Sequence, residues 1–506
     1  MWRVKSLDAV LRTAEKKSLH RSLGPVQLTM LGIGGVIGTG IFVLTAEAAQ
    51  KAGPGMMISF VIAGAVSAVA ALCYAELASM VPVSGSAYTY SYAVLGEIVA
   101  WLVGWALILE YAVAASAVAV GWSGYIVGLL AQVHIVIPPA LAAGPYAGGV
   151  VNLLAIFISM LITVLLVIGT RESANVNAVL VTIKLVALGA FIALAIPVMQ
   201  SGNFHPFLPN GWGTVGVIGA AASIFFAYVG FDAVSTAAEE TKNPQRNVPI
   251  GLIGSLAICT IIYLLVAAGA IGSFGAQPLY GPHGEILEPG SMGLAAQCAH
   301  VATQPLVCSR EALAHVLRAI HHPMVGNLLG LAAGIALPTV ILMMLYGQTR
   351  IFFVMSRDGL LPEVLSRVHP RFHTPHVVTW ITGVCVAGAA AFLPVGQLAD
   401  ISNSGTLFAF AIVSIAVLVL RHTAPERKRP FRTPAIWFFA PVSALGCITL
   451  FFFLPTPAMV LFPIWAAIGL VFYFAYGYRH SHVGRGVTEV PELDADAPSG
   501  FIAEDD

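Results

Sequence analysis

Two glycine-marked interruptions and one isolated cation stand out in an otherwise apolar chain. The first interruption, Gly32-Ile33-Gly34-Gly35-Val36-Ile37-Gly38-Thr39-Gly40, places five glycines in nine residues. The second, Phe226-Ala227-Tyr228-Val229-Gly230-Phe231-Asp232, sets a glycine and an aspartate into an apolar run. A glycine costs a helix about 1 kcal/mol relative to alanine, so helices at these places unwind cheaply. Unwinding frees N–H groups around Thr39, Gly40 and Ile41, which suit a carboxylate. It also frees the carbonyls of Gly35, Val36, Phe226 and Val229, which suit an ammonium group. A group of each sign held a few ångströms apart is the pattern of an α-amino acid, and Gly38 and Gly40 let a ligand approach the backbone. Close packing through small residues such as Gly34 and Gly38 is the alternative for the first cluster, but it does not predict the second interruption.

Lys184 lies roughly 15 Å along its apolar segment at 1.5 Å rise per residue. A charge at that depth is costly and marks function by default. Desolvation favours its neutral amine, so the lysine suits the uptake and release of a proton. A permanently paired structural lysine is the alternative. Glu110 and Asp232 are further ionisable residues in apolar surroundings, open to structural pairing or to proton movement, with pairing placed first for Glu110. Glu239 and Glu240, beside Lys242 and Arg246, read as a solvated gate or as ordinary end charges.

The elements that must position these residues follow from composition. Of 506 residues, 58% are hydrophobic and 9% charged, against about 25% charged in a soluble domain. Uncharged apolar stretches near the ~20 residues that cross a bilayer recur along the chain, and lipid replaces water as solvent. Only helices or closed barrels satisfy the backbone there, and the absence of two-residue alternation excludes a barrel. The expected fold is an all-α polytopic membrane protein with twelve spans, at 25–49, 55–80, 97–131, 149–170, 173–198, 213–237, 248–272, 323–350, 375–395, 400–421, 433–454 and 458–479.

Orientation follows from basic residues. With the N-terminus cytoplasmic, twenty of 24 Lys and Arg fall on the cytoplasmic side, and only Lys51, Arg310 and Arg318 fall outside. Both termini are then cytoplasmic, and the charged segment Met1–Leu23 has no signal-peptide core. Spans one to five and six to ten, each an odd set, form an inverted pair with matching breaks, an arrangement that holds substrate at the midplane. The organisation is a cytoplasmic segment 1–24, a five-helix unit 25–198, a second unit 213–421 with an outer loop 273–322, helices eleven and twelve at 433–479, and a tail 480–506.

Cys73, Cys259, Cys385 and Cys447 read as small apolar core residues. Cys298 and Cys308 share the outer loop, where they either pair or stay free. His134, His205, His315, His321 and His322 show no metal spacing and read as solvated. No basic-aromatic pattern points to nucleic acid. No His-Glu pair at metal spacing and no nucleophile with a base points to an enzyme.

The stretches Gly32–Phe42 and Phe226–Gly251, with Leu-Tyr-Gly-Gln-Thr-Arg at 345–350 and Met-Ser-Arg-Asp-Gly-Leu-Leu-Pro at 355–362, resemble the amino acid–polyamine–organocation superfamily. Within it they look like the cationic amino acid transporter subgroup and its bacterial relatives. The resemblance implies a five-plus-five inverted repeat with two added helices and an inner-membrane location. It implies that Thr39 and Gly40 hold the substrate carboxylate, while Val36, Phe226 and Val229 offer carbonyls to its amino group. It further implies that Phe226 closes over the substrate from outside and that Leu337 limits side-chain size. Gly35, Gly38, Gly230 and Phe231 complete the pocket and gate. Lys184 matches a lysine that stands where sodium-binding relatives hold their ion, which implies proton coupling with no cofactor and no metal. The outer segment 273–322 is longer than the subgroup leads one to expect.

The expected activity is alternating-access uptake of L-amino acids with broad neutral preference. Cationic substrates are the alternative, and a channel or sensor on the same fold is a rival. Side-chain preference, oligomeric state and any small accessory subunit are not readable from the chain.

Overall fold

Long apolar runs without alternation become helices, and helix ends fall where a proline, glycine or capping side chain satisfies the terminal groups. The structure, a computed structural model, describes residues 4, 23–81, 85–169, 174–301, 304–372 and 374–486. Among these, β-structure is limited to isolated bridges. In chain order the helices are α1 (Pro25–Val36), α2 (Leu44–Ala52), α3 (Met56–Met80), α4 (Ser86–Val94), α5 (Glu97–Gln132), α6 (Leu153–Ile168), α7 (Ala174–Ala195) and α8 (Val217–Ile224). They continue as α9 (Pro244–Phe274), α10 (Met292–His300), α11 (Ala312–Ala319), α12 (Pro323–Arg357), α13 (His376–Phe392), α14 (Val395–Thr423), α15 (Ile436–Phe452) and α16 (Thr456–Phe472).

Pro25 opens α1, where its missing N–H is no loss. The Asn152 side chain accepts the Ala155 N–H to cap α6. Among the described residues, seven helical stretches are long and apolar enough to cross a bilayer, and five shorter apolar helices accompany them. Of the long ones, α14, α5 and α12 are the most buried, while α7 and α16 show most of their surface. The bundle is therefore built around α5, α12 and α14, with α7 and α16 toward lipid.

Three features were not expected. The helix α4 lies buried before α5. Chain beyond α16 turns back, so that the Tyr473 hydroxyl donates to Glu97 at 2.8 Å and the Ser481 hydroxyl donates to the same carboxylate, which also accepts Tyr92 at 2.9 Å. The segment 273–322, expected as an outer loop, holds α10 and α11, and of the two alternatives left open for Cys298 and Cys308 the structure has the paired one, a disulfide. Arg3, Lys5, Arg12, Lys16, Lys17, Arg21 and the tail from 487 lie outside the described residues.

Candidate functional site

Helix geometry fails at both marked places. After α1 stops at Val36, Ile37 is extended (φ −76°, ψ 91°) and Gly38 takes φ −137°, ψ −148°; a single turn, Thr39–Phe42, precedes α2. After α8 the chain tightens through Phe225–Tyr228, runs extended at Val229 (φ −65°, ψ 141°), reverses at Gly230 (φ 109°) and resumes with the turn Ala233–Thr236. A φ of 109° is a conformation that L side chains rarely adopt, so Gly230 is required there.

The two breaks touch. A Cβ on Gly35 would stand 2.9 Å from the Gly230 carbonyl oxygen, and one on Gly40 would stand 2.3 Å from the Ala227 Cα. Glycines thus let main chain meet main chain at two levels. The Tyr263 hydroxyl of α9 lies 2.7 Å from the Val36 carbonyl and 2.9 Å from the Ala227 carbonyl, bridging one freed acceptor from each break. Each of these carbonyls keeps a second lone pair.

Lys184 on α7 is 1% exposed, and its Nζ donates to the Gly34 carbonyl at 2.9 Å. It anchors the last turn of α1 just before the unwound stretch. Asp232, after the second break, accepts the Tyr111 hydroxyl at 2.9 Å. Glu110, the neighbour of Tyr111 on α5, is buried against α14, where Ser402 donates to its main-chain carbonyl, and among the described residues neither of its carboxylate oxygens has a hydrogen-bond partner. Lys184 therefore reaches the first break from α7, and Asp232, which ends the second, is met by Tyr111 of α5.

Thr39 is fully buried, and among the described residues its hydroxyl has no hydrogen-bond partner. A buried hydroxyl in that state costs free energy unless something polar meets it. Ile41 is buried at the same turn. Gly38 is less crowded: a Cβ there would meet only Val340 of α12, at 3.5 Å. Phe226 is 6% exposed, whereas Phe231 is fully buried with its ring 6.0 Å from Tyr74 and 5.2 Å from Phe410. Leu337 is buried on α12. Val340 and Met343, on the same helix, stand directly against Gly38 and Gly35. Sequence reasoning missed both, although Leu337, Val340 and Met343 follow one another at a spacing of three, the helical signal that could have found them.

Two further sets of contacts join the segments that lead into the breaks. In one, the Lys51 ammonium of α2 donates to Ser223 of α8 at 2.5 Å and lies 3.7 Å from Asp400 of α14, and Ser223 donates to Asp400 at 2.5 Å. Lys51, expected as an outer-loop cation, is instead 8% exposed. In the other, the Leu23 N–H donates to the Glu240 carbonyl at 3.0 Å and the Lys242 N–H to the Leu23 carbonyl at 2.8 Å. Glu240, expected to be solvated, is buried and lies 3.7 Å from Arg350 of α12. The Glu239 side chain lies outside the described residues. Away from the spans, burial lowers the pKa of the His315 ring, which packs edge-on against Phe274.

The sequence profile of a family described as amino acid permease matches residues 23–474. The chain is 44% identical over 490 residues to the branched-chain amino acid permease BcaP of Bacillus subtilis (strain 168), spanning 96% of this chain and 99% of that protein. It is 43% identical over 488 residues to the methylthioribose transporter of the same organism, with the same shares. It is 34% identical over 440 residues to the vacuolar cationic amino acid transporter 4 of Arabidopsis thaliana, spanning 84% of this chain and 67% of that protein.

Proposed function

Because the chain belongs to the amino acid permease family of the amino acid–polyamine–organocation superfamily, we propose that it takes up neutral L-amino acids by proton-coupled alternating access. It is a multi-pass membrane transporter and not an enzyme. The finer reading comprises twelve spans in a five-plus-five inverted repeat with two added helices, placed in the inner membrane with both termini cytoplasmic.

One observation carries the reading: the unpartnered Thr39 hydroxyl sits at the start of a new helical turn, beside a second broken helix. Thr39, Gly40 and Ile41 would take the substrate carboxylate. Val36, Phe226 and Val229 would turn carbonyls to its ammonium group. The side chains set against the breaks from α12, Val340 and Met343, are apolar, which favours an aliphatic substrate over a cationic one. Similarity to a branched-chain amino acid permease points the same way.

Lys184 would serve as the coupling group. In its observed contact the ammonium holds the Gly34 carbonyl; a deprotonated lysine loses that charge-assisted bond and frees α1 to move. No cofactor is needed beyond the proton.

A second reading comes from similarity to a methylthioribose transporter, since an uncharged thiosugar would need neither half-helix end. Purified protein in sodium-free liposomes with an inward proton gradient separates these readings. Labelled leucine, valine and alanine should accumulate above equilibrium, and arginine, lysine and methylthioribose should not. Accumulation of methylthioribose alone would sink the amino acid assignment.

A further inference from the structure

A groove of about 670 Å³ opens where α9 begins, away from the substrate site. It is lined by Gln245, Arg246, Pro249, Ile250, Ile253 and Gly254 of α9, with Pro430 and Phe431 of the segment before α15. Its chemistry changes along its length. At the α9 terminus, Arg246 and Gln245 are exposed, and among the described residues no carboxylate pairs with the Arg246 guanidinium. Pro249 has no N–H to give the Gln245 carbonyl, which leaves that acceptor without its helical donor at the same end. One turn further the walls are wholly apolar.

From Ile250 in the groove, the same face of α9 continues as an exposed apolar ridge of Ile258, Ile261 and Leu265. Such a face in a membrane protein meets acyl chains. Trp437 and Phe438, exposed at the start of α15, mark the interfacial level. Arg432 and Lys428, both exposed, follow and precede the groove wall in the chain and add positive charge.

We propose that this groove holds one anionic glycerophospholipid of the cytoplasmic leaflet, with its phosphate at Arg246 and one acyl chain along Ile250, Ile253 and Gly254. Charge complementarity selects the occupant. The chain's own N-terminal segment, with Lys16, Lys17 and Arg21, carries the same sign as the groove mouth and is unsuited to it. A phosphate with a hydroxylated headgroup matches both the guanidinium and the Gln245 carbonyl, which lacks its i+4 donor. Gly254 makes the space: a Cβ there meets only Thr29, at 3.5 Å, whereas at Gly251 one turn earlier it would meet Leu28 at 2.8 Å.

Native mass spectrometry of the full-length protein, equilibrated with equal amounts of phosphatidylglycerol and phosphatidylcholine of identical chains, tests the site. The wild type should retain one phosphatidylglycerol in preference. Arg246→Gln should weaken retention about five-fold, the fold-change of about 1 kcal/mol for one cation at an anionic surface. Gly254→Leu, which fills the groove without altering charge, should lower retention too, and Ile253→Phe provides the same test should that variant misfold. Arg371→Gln, a cation elsewhere on the cytoplasmic side, should leave it unchanged, and glycerol phosphate alone should not displace the lipid. Equal retention of phosphatidylcholine, insensitivity to both groove-filling variants, displacement by glycerol phosphate, or a polypeptide occupying the groove in place of lipid would each overturn the proposal.

Discussion

Gly35 and Gly230 hold the two broken helices backbone to backbone. A methyl group on Gly230 would come 2.8 Å from the Gly35 carbonyl carbon and oxygen, closer than real Cβ contacts fall. Gly230 also carries φ 109°, so alanine there meets both a forbidden backbone conformation and a wall of main chain.

Gly230→Ala should therefore separate the breaks. The expected result is at least a hundred-fold loss of uptake rate, with the protein still inserting in the membrane because the long helices are untouched. Uptake normalised to folded protein checks it. Unchanged uptake would mean that the observed contact is not needed in the cycle.

Lys184→Ala removes the cation that grips the Gly34 carbonyl from α7. Gradient-driven accumulation should vanish, while exchange of internal for external substrate across the same membrane persists at a reduced rate. Paired assays of accumulation and exchange decide the point. Full accumulation by the variant would remove this lysine from coupling.

Lys51 and Asp400 join α2 to α14 through Ser223. Lys51→Met leaves Asp400 buried without its cation, a loss of about 3 kcal/mol when one partner of a buried pair is removed. Melting temperature should fall. Lys51→Met combined with Asp400→Asn should recover much of that loss, and additive losses in the double variant would deny the coupling.

Val340 stands 3.5 Å from the position of a Gly38 side chain. Val340→Ala should widen the space by two methyl groups and shift preference toward larger substrates, such as phenylalanine over valine, by about ten-fold or more, the discrimination that an apolar pocket gains from such a change. Leu337→Ala should act in the same direction. Ratios of kcat/KM for the two substrates measure it.

The breaks were legible because their cause is local: glycines that weaken a helix lie next to one another in the chain. The burial of Lys184 followed from its place in an apolar run. Tyr263 was not legible, because nothing in its own segment announces that its hydroxyl spans Val36 and Ala227 from another helix. Lys51 was misplaced for a related reason. A lysine near a span end reads as a loop cation, and only the packing of α8 and α14 against α2 reveals its burial. Glu240 likewise gained its burial and its partner Arg350 from a helix more than a hundred residues away. Periodicity on α12 did contain Val340 and Met343, but it could not say which face meets the breaks.

The most direct measurement is competition against labelled leucine by three analogues in proteoliposomes: unlabelled leucine, leucinamide without the carboxylate, and 4-methylpentanoate without the ammonium group. A site made from two half-helix ends of opposite polarity requires both charges, so leucine should compete and each analogue should bind at least ~100-fold more weakly, because it leaves buried polar groups unmet. Competition by 4-methylpentanoate or leucinamide at leucine's own concentration would contradict recognition by the exposed main chain of the two breaks.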